Sequence, residues 1–172
     1  MNGSVGDNIF IIIVLFSFSV GTLVALTVYN EFNTTVRETF PDFNNSYVGN
    51  ATALAETSVT SAFDYSFAFV FLGGNLIVIF LSWLVRAQPI LVVFSIVGLF
   101  VMSVLAIFFG SAYTDFASSS QLGSVASHMP IQDFIMSNIL ALQLVFGFID
   151  VIVLFGAGQG QAQGNQGGFN SV

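Results

Sequence analysis

The chain has 172 residues, 55% of them hydrophobic and 6% charged, with nine acidic residues against two basic ones for a formal net charge of -7. A soluble domain carries about 25% charged residues, so a water-soluble fold is excluded, and about four spans of roughly 20 apolar residues fit a chain of this length. Cysteine is absent, which removes disulfides, thiolate metal sites and cysteine nucleophiles. The two cations, Arg37 and Arg86, are too few to make a basic patch for nucleic acid or anionic headgroups.

The first apolar run covers 9–29. It lacks the basic flank and cleavage site of a signal peptide and reads as a retained span. Ser17, Gly21 and Ala25 recur every four residues along it, a small-residue stripe that suits close helix packing. Beyond Tyr29 the chain turns polar, yet Phe32, Val36 and Phe40 continue a helical spacing until Pro41. After a turn rich in Asn, Gly and Asp, the residues Ala51, Leu54, Ala55 and Val59 lead without a breaker into a second span over 63–85. This pattern predicts a protruding helical hairpin over about 30–62, whose Glu31, Arg37, Glu38, Asp42 and Glu56 form a solvated face.

Trp83 and Arg86 close the second span with an aromatic ring and a cation at headgroup level. Gln88 and Pro89 turn the chain into a third span over 90–109, which is able to stay helical to Phe116 before a serine cluster. Pro130 suits a first helical turn, and a fourth span is predicted over 131–155. Residues 156–172 form a Gly and Gln tail with too little apolar content to fold alone. The predicted fold class is thus all-α: a four-transmembrane-helix bundle in one domain over 1–155, with a hairpin and a flexible tail. The termini and the Arg86 turn fall on one face. Arg86, nearer a boundary than Arg37, tilts the orientation to cytoplasmic termini. Sequons at Asn2, Asn33, Asn44 and Asn50 match the glycosylation pattern.

Asp150 lies well inside the fourth span, where a carboxylate is costly and needs a partner. Gln143 and Gly147 precede it by seven and three positions, so the three share a helical face that points into the bundle. Arg86 ends the second span on the same side, and an Arg86 to Asp150 pair is the expected structural contact, with protonation-linked transport as an alternative. Asn75, after Gly73 and Gly74, marks a kink or an interhelical hydrogen bond, and Asn138 reads as interhelical glue. His128 is the lone histidine, so neither a metal site nor a Ser-His-Asp arrangement can be composed. Glycine-rich phosphate loops fail for want of a lysine. No catalytic residue, cofactor site or small-molecule substrate is expected, and the chain does not read as an enzyme.

Two stretches carry a resemblance: Ser111 to Phe116 and Met129 to Asn138, together with Phe63-Asp64 and the Gln88-Pro89 turn. With the apolar helix that follows, they resemble small multi-span membrane proteins of tailless icosahedral viruses that carry a lipid membrane beneath the capsid, in bacteria and halophilic archaea. The resemblance implies a structural protein of the virion internal membrane, organising the bilayer and touching the overlying capsid through its loops. Its partners would be membrane lipids, further copies of itself as a homo-oligomer, or other membrane and capsid proteins. The acidic, lysine-free composition fits a high-salt environment. The alternatives are a small oligomeric channel, a holin-like pore, or an accessory subunit of a membrane complex, motivated by Asp150, Gln143 and Asn138.

Overall fold

The computed structural model describes residues 5–40, 47–84 and 89–162. Among them there is no strand. Three long helices, α1 (Val5–Thr39), α2 (Tyr47–Leu84) and α3 (Pro89–Ala117), precede two short ones, α4 (Gly123–Ala126) and α5 (Pro130–Ser137), and a last long one, α6 (Ile139–Ala162). Four of these are long and apolar enough to cross a membrane, over Ile9–Thr39, Gly49–Leu84, Val93–Ala117 and Ile139–Gly156. The chain is an all-α, four-span integral membrane protein.

The long helices pack as a ring in the order α1, α2, α6, α3, so the consecutive α2 and α3 stand diagonally across it. Each turns one seam inward. In α2 the buried residues are Asp64, Phe67, Phe71, Asn75, Val78 and Ser82, at intervals of three and four, the periodicity that keeps one face of a helix on a partner. The outer faces are as apolar as the seams: Phe69, Leu76, Phe100, Phe108 and Ile152 are all exposed. In water such a surface would aggregate; in lipid it is the solvated one.

Antiparallel α1 and α2 are registered by Ile11, which lies 3.4 Å from where a Cβ on Gly74 would stand, and by stacked Phe18 and Phe67, with ring centroids 6.2 Å apart. From Asp64 to Leu84, α2 rises about 30 Å, the thickness of a hydrocarbon core. The α1 residues facing this stretch end near Thr22, but the apolar run of α1 continues to Tyr29. Its apolar belt is therefore displaced along the axis by about seven residues, roughly 10 Å, relative to α2. Leu23 and Leu26 in this overhang are buried, and α4, with buried Val125 and Ala126, packs against α1. Beyond Tyr29 α1 continues alongside α2 to Thr39, roughly 15 Å more. Asn33 Nδ2 donates to Glu56 across the hairpin at 3.3 Å, while Arg37 donates to Asn33 Oδ1 at 3.3 Å and to the Gly49 carbonyl at 3.4 Å.

Three features depart from the sequence reading. The fourth span is interrupted: α5 ends at Ser137 and Asn138 leaves helical geometry at φ -113°, ψ 17°. There its Nδ2 bonds its own chain, at Phe134 O, so Asn138 caps a break and is not interhelical glue. The stripe of Ser17, Gly21 and Ala25 faces outward, and nothing lies within 4 Å of a Cβ placed on Gly21. The stripe packs against no helix of this chain, because Ile12, Leu15, Leu23 and Leu26 bury more area and claim the inward face. Helix continues past the predicted end of the fourth span to Ala162; the rest of the tail, like Asp42, Asn2 and Asn44, lies outside the described residues.

Candidate functional site

An apolar bundle with four inward seams can be sealed by hydrocarbon alone, so every polar side chain on a seam needs an account. Here they fall into two layers. The first lies where the hairpin leaves the belt. Asp64 is buried on α2 and accepts hydrogen bonds from the backbone N–H groups of Gln132, at 2.7 Å, and Ile131, at 3.2 Å. These are free donors of the first turn of α5, whose own preceding residue, Met129, supplies no side-chain cap. Asp64 thus caps α5 from a neighbouring helix, where a carboxylate is favoured by both the unpaired N–H groups and the helix dipole. Gln132 in turn reaches the Ser19 carbonyl of α1 at 3.4 Å. Buried Tyr113 of α3 faces Gln132 and Asp133, although its hydroxyl and Gln132 Oε1 close no hydrogen bond of good geometry. This layer ties α1 and α2 to α5, with Tyr113 of α3 packed beside it.

The second layer lies toward the opposite end. A cavity of about 30 Å³ is bounded by α2, α3 and α6, with Asn75, Ser95, Gln143 and Asp150 among its lining residues. All four are at least nine-tenths buried, as is Ser82 one turn along. Ser82 faces Asp150, yet Asp150 Oδ1, Ser82 Oγ, Ser95 Oγ and Gln143 Nε2 are buried without a hydrogen-bond partner. Asn75 Nδ2 bonds back to the Phe71 carbonyl at 2.8 Å, leaving its carbonyl oxygen as the free end. Asn75 therefore makes no interhelical bond, and α2 runs through Gly73 and Gly74 without a break. Gly147 lets α6 approach α3, since a methyl on it would meet Leu99 Cδ1.

Between the layers the core is apolar and aromatic. Phe67, Phe71, Met136 and Ile139 are buried there, and Phe71 meets Phe146 edge to face with centroids 5.7 Å apart. The polar cavity is thus blind toward the hairpin side.

Gln143, Gly147 and Asp150 come together on one face as the sequence predicts, joined by Asn75. Arg86 lies outside the described residues, and the Arg86 to Asp150 pair with it. Asp64, Ser82 and Ser95 were not singled out as members of a site. For Ser82 the available signal was its place seven residues after Asn75, on the same helical face. His128 sits on an exposed loop with Nδ1 2.7 Å from the Ser124 carbonyl, and among the described residues no group of three His, Cys, Asp or Glu side chains could hold a metal ion. No family model, no curated protein and no solved structure matches this chain.

Proposed function

We propose that this membrane protein is structural, a constituent of a virion internal membrane that organises the bilayer and contacts an overlying capsid through its hairpin. The observation that carries the reading is the projection of α1 and α2 roughly 15 Å beyond the apolar belt of α1, presenting Phe32 and Leu54 to the outside. Exposed apolar residues on an element that stands in water serve contact with another surface. The Asn33 to Glu56 and Arg37 to Gly49 hydrogen bonds that cross it hold it as one arm. The anchoring of α5 by Asp64 adds a bundle fixed at the base of that arm, which suits load-bearing better than gating.

The second reading is a small oligomeric channel or holin-like pore, favoured by the polar cavity at Asp150 and Gln143. Against it, Phe67, Phe71 and Phe146 close the bundle between the polar layers, so a path would have to form between copies. The test is cryo-electron microscopy, with mass spectrometry, of the particle or membrane that holds the chain, before and after gentle removal of its outer protein layer. An ordered array of copies whose hairpins meet that layer is the expected result. A discrete oligomer around a hydrated path lined by Asp150 and Gln143 would replace this reading with the channel.

A further inference from the structure

Three unpartnered polar atoms on residues lining one small cavity, Asp150 Oδ1, Ser95 Oγ and Gln143 Nε2, with unpartnered Ser82 Oγ one turn along, are a costly arrangement inside a hydrocarbon belt. A packed bundle sheds that cost by filling the space with an occupant that satisfies them. The cavity volume of about 30 Å³ admits one small ion or about two waters. The polar groups lining it are a carboxylate, Asp150; a hydroxyl, Ser95; and two amides, Asn75 and Gln143, with the Ser82 hydroxyl facing Asp150 beside them. All are hard oxygen donors, apart from the amide nitrogens, and a flip of the Gln143 amide turns its oxygen inward. One negative charge with neutral oxygens matches a monovalent cation, leaving the site electrically neutral in the membrane. Transition metals would want the imidazole or thiolate that this site lacks.

We propose that the cavity between α2, α3 and α6 binds a single sodium ion, held by the Asp150 carboxylate, the Ser82 and Ser95 hydroxyls and the carbonyl oxygens of Asn75 and Gln143. The ion fastens three helices at one end of the belt, as Asp64 fastens α5 at the other. Its effect is on stability, independent of whether the hairpin contacts a capsid.

The full chain in detergent or nanodiscs is melted in sodium chloride and in choline chloride of equal ionic strength. Binding at ten times Kd raises Tm by about 3–6 °C in sodium. Ser95→Ala and Asp150→Asn remove the shift, whereas Asp64→Asn lowers Tm and keeps it. An equal Tm in both salts, or a shift that survives in Ser95→Ala and Asp150→Asn alike, overturns the proposal. Should the variants fail to fold, dicyclohexylcarbodiimide on the unaltered chain decides: labelling of Asp150 in choline that sodium suppresses supports the site. Labelling indifferent to sodium means a neutral acid bonded within the protein. Its absence in both salts means a permanent partner such as Arg86. Either result overturns sodium binding.

Discussion

At the scale of single residues, Asp64 shows why a carboxylate is tolerated at a membrane boundary. It carries two backbone N–H bonds that nothing else on α5 can satisfy, so its removal orphans the donors as well as losing the attraction. Asp64→Ala is expected to destabilise the fold by about 1–3 kcal/mol, with Asp64→Asn intermediate because one amide oxygen replaces two carboxylate oxygens. Reversible unfolding in mixed micelles measures this, and an Asp64→Ala protein as stable as the parent would remove the capping role. Gly147 offers a second test. Gly147→Ala forces Leu99 aside at a cost of about 1–3 kcal/mol, and Leu99→Ala in the same chain gives the methyl room. The two substitutions should therefore be less damaging together than their separate effects predict, and strict additivity would mean that the close approach of α3 and α6 is not what the glycine serves. None of this geometry was legible beforehand for Asp64: its partners lie 67 and 68 residues away in sequence, and no local pattern announces a cap borrowed from another helix. The face shared by Gln143, Gly147 and Asp150 was legible, because helical periodicity alone fixes it.

At the scale of elements, the contrast is between what length and hydropathy dictate and what packing chooses. The long apolar runs leave no alternative to helices in lipid, where every backbone group must be bonded within its own segment. Which face turns inward is a competition of areas. The small residues of α1 promised close contact, but the larger side chains at Ile12, Leu15, Leu23 and Leu26 won the seam. The break at Asn138 was not legible for a different reason: neither glycine nor proline marks it. In the hairpin, the Arg37 contacts bridge partly exposed groups, so Arg37→Gln should cost less than about 1 kcal/mol. Thr35→Pro, which breaks the helix of α1 and clashes with the turn before it, should cost about 3 kcal/mol. Circular dichroism together with unfolding distinguishes them: similar losses for both would mean that the arm is held by the Arg37 hydrogen bonds and not by helix continuity.

At the scale of the whole molecule, the absence of cysteine makes each introduced thiol the sole one, so the position of the bilayer along the bundle can be mapped residue by residue. A membrane-impermeant maleimide should modify cysteines at Phe32 and Leu54, on the projecting arm, when that face is open to the reagent. It should leave cysteines at Phe69, Val97 and Ile152 untouched, although all are exposed on the protein. Modification of the latter three in intact membranes would mean that the outer apolar surface is covered by something other than lipid.

The displaced belt of α1 has a consequence for the surrounding membrane. Lipid against α2, α3 and α6 meets an apolar wall about 30 Å tall, but on the α1 flank the wall, with Val24, Val28 and Tyr29 exposed, rises roughly 10 Å further on one side. The adjoining leaflet must stretch there or the molecule must lean, at fractions of a kcal/mol per Å of mismatch, a few kcal/mol in all. Two copies that turn their raised flanks together share one patch of thickened leaflet and halve that cost. Lateral order among many copies then has a source in the elasticity of the bilayer itself, with a preferred rotation of each molecule about its normal and no requirement for a specific protein-to-protein bond.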